Sequence, residues 1–582
     1  MTFSSRGYAV ATIALISLLA LFSSKSFALV DMRNANFSDN WVDLEVKSSG
    51  YDLRVQRSYN SRTLYNGMFG FGWCTEFETS LKVTPENSLK VTDCGAGFEW
   101  EYVPEGFSNK ALDKNISSIM AEVRKRNKGR DEKYFQNLET QLKIDGDLRE
   151  EFAKQLSISG KVSKEARYVT NGRSTDFITF NGAEYIRTMP NGTFQKFDKD
   201  GHLLQLNDHN GNYLKITYRG KLIASVADNT GVSLTFKYYD NTHYVKQVVG
   251  PKNMVASYKY KGEDLVQADS AWQRPYKYEY DDVHNMTKAS FADNSFIALT
   301  YDHDKDWVTS FRDRRGCVEK YAYSSNEHDP LNNYSSGVEK KCNGKITNKS
   351  SFEFVHKSTK DGKRYLAKTR SVINGKEVET TYHEEYGRPV EVIQDGLITR
   401  FDYYQNGLLR SKVEAGNTFN FEYSKQCGKV SKVIAKYNFR VPTAAAAQST
   451  GKGDRKPSKV ASTVESRSVT TEFMYDSSRC NLAAAKNSEG QTADLKYDVR
   501  GRISHIVDQS RKEVSITYEE RFGKPYIVNR PGLGTIKFRY KPDGTMDKFD
   551  SSDDPLIAYQ VASIFSNLLE LIAPATTDVN NI

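Results

Sequence analysis

Apolar and polar residues alternate along most of the chain beyond residue 190. Two typical segments are Leu214-Lys215-Ile216-Thr217-Tyr218 and Phe419-Asn420-Phe421-Glu422-Tyr423, in which every second side chain is apolar. A period of two residues places the apolar side chains on one face of a β-strand. The pattern therefore predicts many short strands, each buried on one face.

An aromatic residue ends these strands at a nearly constant spacing. The steps between the first seven are 21, 21, 21, 20, 21 and 22 residues, and the residues are Phe197, Tyr218, Tyr239, Tyr260, Tyr280, Tyr301 and Tyr323. The spacing returns at Tyr382, Tyr403 and Tyr423, and again at Tyr475, Tyr497, Tyr518 and Tyr540. A fixed period of this length indicates a repeat array, with interruptions near 325–380 and 424–475.

Turn sequences separate the strands, as in Asp208-His209-Asn210-Gly211 and Asp228-Asn229-Thr230-Gly231. Glycine after Asp or Asn supplies the positive φ that a tight hairpin needs. Two short strands and two turns use about 20 residues, so each repeat is predicted to be a β-hairpin beside its neighbours. Repeats of this kind are predicted over 167–550, following a β segment at 29–107.

Two segments change to the helical period. Between residues 108 and 166, apolar residues such as Ile116, Met120 and Val123 recur at helical spacing among charged ones. This predicts a two- or three-helix insertion, which is either a packed decoration or a docking surface for a partner.

The final segment, 551–582, is apolar along one face from 555 to 573 and predicts a helix that caps the open end of the sheet.

One stretch, 443–468, has no period and few large apolar residues, and it predicts a flexible loop.

Composition supports a folded chain elsewhere, because 12% of its 582 residues are aromatic. The formal charge of +9 arises from 82 basic and 73 acidic residues. An excess this small over so long a chain gives no reason to expect a nucleic-acid partner.

The N-terminus has the order of a secretory signal peptide. Arg6 precedes an apolar run from Ala9 to Phe22, and small residues lead to Ala28, where cleavage is predicted. A retained membrane anchor is the alternative, but fourteen helical residues rise only about 21 Å against a hydrocarbon core of about 30 Å. We expect residues 1–28 to be removed and the mature chain, without a transmembrane span, to be secreted, periplasmic or at the cell surface.

Six cysteines follow the predicted cleavage site. An even number in an exported chain favours disulfides, and their spacing fits no zinc motif. The most economical pairing is Cys74–Cys94, Cys317–Cys342 and Cys427–Cys480. The last pair flanks the predicted loop at nearly equivalent places in two repeats, where a bond would clamp the sheet. Free structural thiols are the alternative.

The repeats resemble those of the YD (Rhs) repeat family. Tyr497-Asp498-Val499-Arg500-Gly501-Arg502-Ile503 matches the family motif Y-D-x-x-G-R-L, and Phe197 to Leu203 is a looser version. Upstream, Arg57-Ser58-Tyr59-Asn60-Ser61-Arg62 followed by Gly67 and Gly72-Trp73 is similar to the segment that precedes such repeats. The resemblance implies a mainly β fold, a long coiled sheet or partial shell that encloses a partner or acts at cell surfaces.

The sequence departs from the family's toxins at its C-terminal end. Asp554-Pro555 lacks the glycine that follows in the family's D-P-x-G motif, and only 27 residues come after Pro555. Some toxins of this family cleave themselves at this motif. We therefore do not assign that role to Asp554, and we expect no toxin domain after it. No G-x-S-x-G, P-loop or H-E-x-x-H motif occurs in the chain. No enzyme activity, cofactor or metal is expected.

Tyrosines share a face on two of the predicted strands: Tyr258 with Tyr260, and Tyr276 with Tyr278. Such rows can stack on sugars, but they also stabilise a sheet by packing alone. The first hypothesis is a secreted, non-catalytic scaffold for envelope or partner interaction, possibly enclosing a separate protein. The alternative is a carbohydrate- or envelope-polymer-binding protein that uses these four tyrosines, and a polysaccharide hydrolase comes third.

Overall fold

One continuous antiparallel sheet of 36 strands, here called the coil, dominates the computed structural model, and its strands pair with their neighbours in chain order. The structure describes residues 29–94, 98–105, 110–170, 173–359, 364–442, 462–541, 546–551 and 555–576. The predicted signal peptide, 1–28, lies outside these ranges. The mainly β fold with a helical insertion and a C-terminal helix is confirmed.

Six short strands form a separate N-terminal unit, residues 29–79, here called the plug. They are β1 (Leu29–Asp31), β2 (Asn36–Val46), β3 (Leu53–Asn60), β4 (Asn66–Gly67), β5 (Gly70–Phe71) and β6 (Trp73–Cys74). β1, β2, β3 and β6 make a four-stranded sheet, β4 pairs with β5, and a 3-10 helix follows at Glu76–Glu78.

The first winding of the coil comprises β7–β32. Its strands are β7 (Ser80–Val83), β8 (Leu89–Asp93), β9 (Phe98–Pro104), β10 (Arg167–Thr170), β11 (Arg173–Phe180), β12 (Tyr185–Thr188), β13 (Phe194–Phe197), β14 (Leu203–Asn207), β15 (Tyr213–Arg219), β16 (Leu222–Asp228), β17 (Ser233–Tyr238), β18 (Val245–Val249), β19 (Val255–Lys261), β20 (Asp264–Asp269), β21 (Pro275–Tyr280), β22 (Met286–Ser290), β23 (Phe296–Tyr301), β24 (Val308–Arg312), β25 (Val318–Ser325), β26 (Asn333–Cys342), β27 (Lys345–Ser358), β28 (Arg364–Ile373), β29 (Lys376–Tyr382), β30 (Pro389–Gln394), β31 (Leu397–Tyr403) and β32 (Leu409–Glu414).

The second winding comprises β33–β42. Its strands are β33 (Asn417–Tyr423), β34 (Val430–Pro442), β35 (Ser462–Tyr475), β36 (Leu482–Asn487), β37 (Thr492–Tyr497), β38 (Ile503–Asp508), β39 (Glu513–Tyr518), β40 (Pro525–Arg530), β41 (Gly534–Tyr540) and β42 (Met546–Ser551). The sheet returns beside its own start here, because the turn between β33 and β34 lies against Thr175 of β11. A further 3-10 helix lies between β18 and β19 at Pro251–Asn253.

Three helices fill the predicted insertion: α1 (Lys110–Arg126), α2 (Glu132–Ile144) and α3 (Gly146–Gln155). Their apolar stripes pack on one another in a small cluster of their own that includes Ile119 and Leu142. Asp131 and Asp145 cap α2 and α3 by accepting backbone N–H groups of their first turns. A fourth helix, α4 (Pro555–Thr576), follows the last strand.

A tyrosine hydroxyl explains the 21-residue period. In twelve repeats, the hydroxyl of the strand-ending tyrosine donates to the backbone carbonyl of the residue that pairs with the preceding repeat's aromatic. Tyr497 donates to Leu482 at 2.9 Å, for example, and Leu482 is the cross-strand partner of Tyr475. The same bond is made by Tyr218, Tyr238, Tyr260, Tyr280, Tyr301, Tyr323, Tyr403, Tyr423, Tyr475, Tyr518 and Tyr540.

Most of these tyrosines also sit at a β-bulge, where the register shifts by a residue, as between Lys496 and Tyr497. A bulge adds local twist. Burial raises the pKa of the hydroxyl, to about 12 for Tyr475, Tyr497, Tyr518 and Tyr540. The repeated bond therefore ties each hairpin to the one before it.

Two details of the predicted repeat are wrong, namely one strand-ending tyrosine and the end of the flexible loop. The repeating residue is Tyr238, not Tyr239, whose hydroxyl donates instead to Tyr258 O. The sheet is continuous through 325–380 and 424–475, because longer strands there, such as the 14-residue β27 and β35, break the spacing but not the pairing. Residues 462–468 of the predicted loop belong to β35, while 443–461 lie outside the described residues.

The plug and α4 pack on the same face of the sheet, here called the inner face. The plug shares one apolar cluster with β7–β25, and α4 shares a second cluster with β32–β41. Cross-strand pairs connect the two clusters along one face, from Tyr323 through Ser336, Phe352, Ser371 and Val378 to Gln394 and Leu397. Alternation along β31 then leads from Leu397 to Phe401, which packs on the second cluster.

Candidate functional site

A buried ion pair lies where the plug meets the inner face. The Arg57 Nε atom lies 2.5 Å from Asp43 Oδ2, and both side chains are fully buried. Asp43 falls at a bulge of β2, between Val42 and Leu44, which redirects its side chain. The Arg57 guanidinium also lies 4.5 Å from the Trp73 ring centroid. A charge pair is tolerated in such a place only when its polar atoms are satisfied.

The coil supplies further partners for this pair. Tyr258 donates its hydroxyl to Asp43 Oδ2 at 2.9 Å, and the Tyr278 hydroxyl accepts from Arg57 Nη2 at 3.0 Å. Desolvation, together with the Asp43 carboxylate, raises the pKa of the Tyr258 hydroxyl well above its ordinary value. Asp43 O also accepts the backbone N–H of Ala271. The plug is thus fixed to the coil by directional bonds.

The four tyrosines predicted to stack on a ligand do not form an exposed platform. Tyr258 and Tyr278 are only 1% and 3% exposed and belong to the core. Tyr260 donates to Val245 O, and Tyr276 packs edge-on against Phe291. The prediction of a stacking surface at these residues is wrong, because the plug covers the face on which they lie.

The inner face is uncovered between the plug and α4. None of residues 368–406 is buried, although they form most of β28 and all of β29, β30 and β31. Cross-strand pairs align Phe354, Thr369, Thr380, Val392 and Thr399 on this face. Leu397 is 65% exposed there. A sheet face that carries apolar and hydroxyl groups and no covering layer is a candidate binding surface.

The opposite face of the same strands carries ion pairs. Arg370 contacts Glu353 at 3.3 Å and Glu377 at 2.6 Å, and Lys368 contacts Glu379 at 2.7 Å. Charged pairs of this kind suit a solvated face. The contrast between the two faces indicates that the uncovered inner face, rather than the charged one, is the surface available to an apolar partner.

Two of the three predicted disulfides are present. Cys317 is bonded to Cys342, and Cys427 to Cys480. Cys74 and Cys94 are both half-buried. Both thiols contribute to the raised pKa of the Tyr65 hydroxyl, after desolvation and Glu78, so both lie near that ring. The Cys74–Cys94 bond stays a prediction.

A cavity of about 260 Å³ lies between the plug and the coil, with Glu78, His202, Tyr218 and His243 among its lining residues. Glu78 Oε1 accepts from Met68 N and the Tyr65 hydroxyl, and Oε2 accepts from Thr75 N. Desolvation raises the pKa of this carboxyl to about 7. The carboxylate is thereby engaged in holding the plug's last turn.

Asp198, Asp200 and His202 bring three possible metal-ligand atoms within 4.8 Å of one another. The Asp198 carboxylate already accepts the backbone N–H groups of Asp200 and His202 and lies 3.0 Å from His202 Nδ1. Equivalent aspartates, such as Asp208 and Asp498, hold their turns in the same way. The turn accounts for this cluster, and the expected absence of a metal stays a prediction.

Sequence reasoning missed the Arg57–Asp43 pair and the uncovered inner face. The spacing of Asp43 and Arg57 gives no sign of contact, because a bulge and a hairpin bring them together. The uncovered face has no local signal either, because 364–400 is about as rich in large apolar residues as 270–306, which the plug covers.

The described helices include none that is long and apolar enough to cross a membrane. A family model described as a domain of unknown function, DUF6531, matches residues 29–96, which contain the whole plug. None of the curated proteins has a detectably similar sequence.

Two solved structures resemble the chain weakly. One is TcdB2–TccC3 without its hypervariable C-terminal region, at 11% identity and a TM-score of 0.37, covering 89% of this chain and 29% of that chain. The other is a Photorhabdus luminescens Tc holotoxin pore, at 12% identity and a TM-score of 0.38, with the same coverage. The chain thus spans less than a third of either solved structure. Because both TM-scores are low, the description of the fold rests only on the strand pairing and packing within this protein.

Proposed function

We propose that this protein is an exported, non-catalytic scaffold that holds another polypeptide against the uncovered inner face of its coil. One observation carries the proposal: no side chain between residues 368 and 406 is buried, whereas the inner face on either side is covered by the plug or by α4. Exposed apolar sheet surface costs free energy in water, so a partner that covers it gains from association.

The chemistry of this face indicates the kind of partner. Val378, Thr380, Val392 and Thr399 offer short, branched side chains and hydroxyls without a charge. Such a surface favours an apolar stretch of polypeptide over a polyanion or a sugar chain. The alternative, an envelope-polymer-binding protein, loses its four named tyrosines, since they pack in or against the plug core.

Export is part of the proposal and rests on two supports. The Cys317–Cys342 and Cys427–Cys480 bonds are typical of an oxidising compartment. The residue order of 1–28 is that of a signal peptide. The absence of catalytic activity remains an expectation from the sequence.

Adjacent residues of β29 allow a matched test. Thr380 lies on the inner face and Thr381 on the opposite one, and both are half-buried. We expect Thr380→Lys to reduce the amount of any chain that co-purifies with the full protein from its native source, because it places a charge on the face. Thr381→Lys leaves the co-purifying amount unchanged.

Mass spectrometry of the purified complexes identifies and quantifies the bound chain, and the unfolding temperatures of both variants confirm equal folding. Equal loss in both variants, or no co-purifying polypeptide with the wild-type protein, would contradict the proposal. A bound glycan in place of a polypeptide would favour the alternative function.

A further inference from the structure

The two windings of the coil meet through their turns, at a boundary here called the seam. Asn481, in the turn between β35 and β36, has its Oδ1 atom 3.0 Å from His209 Nε2 and donates through Nδ2 to Asn210 Oδ1 at 3.3 Å. His209 and Asn210 belong to the first winding, in the turn between β14 and β15. Asn481 is 7% exposed, so this contact is packed.

Two glycines of the second winding complete the seam. A Cβ at Gly428 would lie 2.8 Å from Thr175 Cγ2, and one at Gly501 would overlap the Asn210 amide. Both glycines have positive φ, at 62° and 76°. The seam therefore needs close approach between loops that are more than 250 residues apart in the chain.

The Cys427–Cys480 disulfide lies directly beside two of these contacts. Cys427 precedes Gly428, and Cys480 precedes Asn481. The same two loops exchange further bonds, since Gln426 Nε2 donates to Ser477 O at 2.9 Å and Lys429 Nζ donates to Cys480 O at 2.8 Å. The bond thus joins the two loops that reach across to β11 and to the turn between β14 and β15.

We propose that the Cys427–Cys480 disulfide is a redox-responsive lock on the seam. While it is intact, Gly428 and Asn481 are held at one fixed separation and both engage the first winding. Reduction by a dithiol breaks the S–S bond with two electrons and two protons and yields two thiols, while the dithiol closes into its own disulfide. The two loops then move independently, and the seam opens locally. This proposal is independent of any client.

The other disulfide provides a matched control. Cys317 and Cys342 join β25 to β26, two strands that are already paired through Val318 and Lys341. Both bonds therefore link neighbouring elements of the coil, but only the Cys427–Cys480 bond is flanked by residues that contact the other winding among the described residues.

Hydrogen exchange measured by mass spectrometry on the full, folded chain tests the lock. The protein carries Cys317→Ser and Cys342→Ser, so that of the two disulfides only Cys427–Cys480 remains. We expect dithiothreitol to accelerate exchange about tenfold in peptides covering 173–180 and 205–214, which belong to the first winding, because seam contacts protect their amides. The parent protein with Cys427→Ser and Cys480→Ser gives the same acceleration without reductant.

Gly501→Ala serves as the positive control, since it disturbs the seam without touching a cysteine. If Gly501→Ala accelerates exchange at 205–214 but reduction does not, the seam exists and the lock is refuted. If Cys317→Ser with Cys342→Ser alone accelerates exchange at these peptides as strongly, the effect is general and the lock is also refuted. Acceleration confined to β34 and β35 after reduction would equally overturn it.

Discussion

The two covered parts of the inner face are built on different physical principles. In the first winding, the plug contributes a buried ion pair, aromatic rings and backbone bonds such as Met68 O with Val245 N. In the second winding, α4 contributes apolar side chains that pack on β34–β41, among them Ile557, Val561 and Ile564. Directional bonds specify one register, whereas apolar packing depends mainly on shape and area.

The difference bears on what each part can tolerate. The plug must enter the coil in one position, because only there does Tyr258 donate to Asp43 and Arg57 donate to Tyr278. The helix α4 can shift without leaving a charge unsatisfied. We therefore expect polar substitutions to damage the first winding and volume changes to damage the second.

The largest effect is expected from Arg57→Met. It leaves the Asp43 carboxylate buried without its counter-charge, which costs about 3–5 kcal/mol of unfolding free energy. Urea unfolding of the full chain, monitored by tryptophan fluorescence, measures the loss, because Trp73 lies beside Arg57. Arg124→Met, which removes an exposed pair with Glu132, is the control and should have little effect.

A second variant sharpens this result. Replacing both partners, with Asp43→Leu and Arg57→Met together, removes the isolated charge, so we expect it to recover much of the loss. If the double variant is as unstable as Arg57→Met alone, the ion pair does not explain how the plug is held.

The next largest loss of stability is expected in helix α4, where one leucine is buried and another is exposed. Leu571 is 2% exposed and Leu569 is 45% exposed. We expect Leu571→Ala to cost about 2–5 kcal/mol, because it opens a cavity against the second winding, while Leu569→Ala changes stability little. Hydrogen exchange of β36–β41 reports the effect, and similar exchange in both variants would contradict the role given to α4.

The tyrosine bond of the repeat allows the two windings to be compared by one chemical change. Tyr497→Phe loses a single bond, to Leu482 O, and should cost about 1 kcal/mol. Tyr280→Phe loses its bond to Leu265 O and also leaves the buried Trp73 Nε1 without its acceptor, so we expect about 2–3 kcal/mol. Thermal unfolding of both variants and of the exposed-site control Tyr526→Phe tests this order. An equal cost at both sites would show that the plug adds nothing to the repeat's own bond.

The last comparison is a pH dependence in the first winding. Burial raises the pKa of Glu78 from 4.5 to about 7, so the folded state binds this proton more tightly than the unfolded state does. The resulting stabilisation is present below about pH 4.5 and is lost as the pH rises through 7. Between these limits we expect wild-type stability to fall by about 3 kcal/mol at most.

Glu78→Gln removes this titration and should flatten the pH profile between pH 5 and pH 8. Unfolding midpoints at several pH values test the expectation. A wild-type profile that rises over this range, or a variant profile identical to it, would show that Glu78 is not the titrating group. No corresponding carboxyl lies against α4 among the groups of the second winding with a raised pKa.

The sequence by itself determined the repeat and its building block. Alternation of apolar residues, aspartate turns and strand-ending tyrosines are local features, and each acts within about 20 residues. The hairpins, the helical insertion and α4 could be predicted for this reason. The Cys317–Cys342 and Cys427–Cys480 bonds were predicted from the even number of cysteines and, for the second bond, from equivalent places in two repeats. The choice of Tyr239 over Tyr238 failed because both residues are aromatic, and only the hydroxyl's acceptor distinguishes them.

Only the tertiary structure decided which surface is covered. Tyr258 and Tyr278 have the same alternation as exposed tyrosines, and their burial depends on a plug that is more than 170 residues distant in the chain. The opening of the inner face at 368–406 and the seam between the windings likewise depend on how far the sheet has turned. Twist accumulates over many strands through small contributions from each, so no local pattern states where the sheet meets itself.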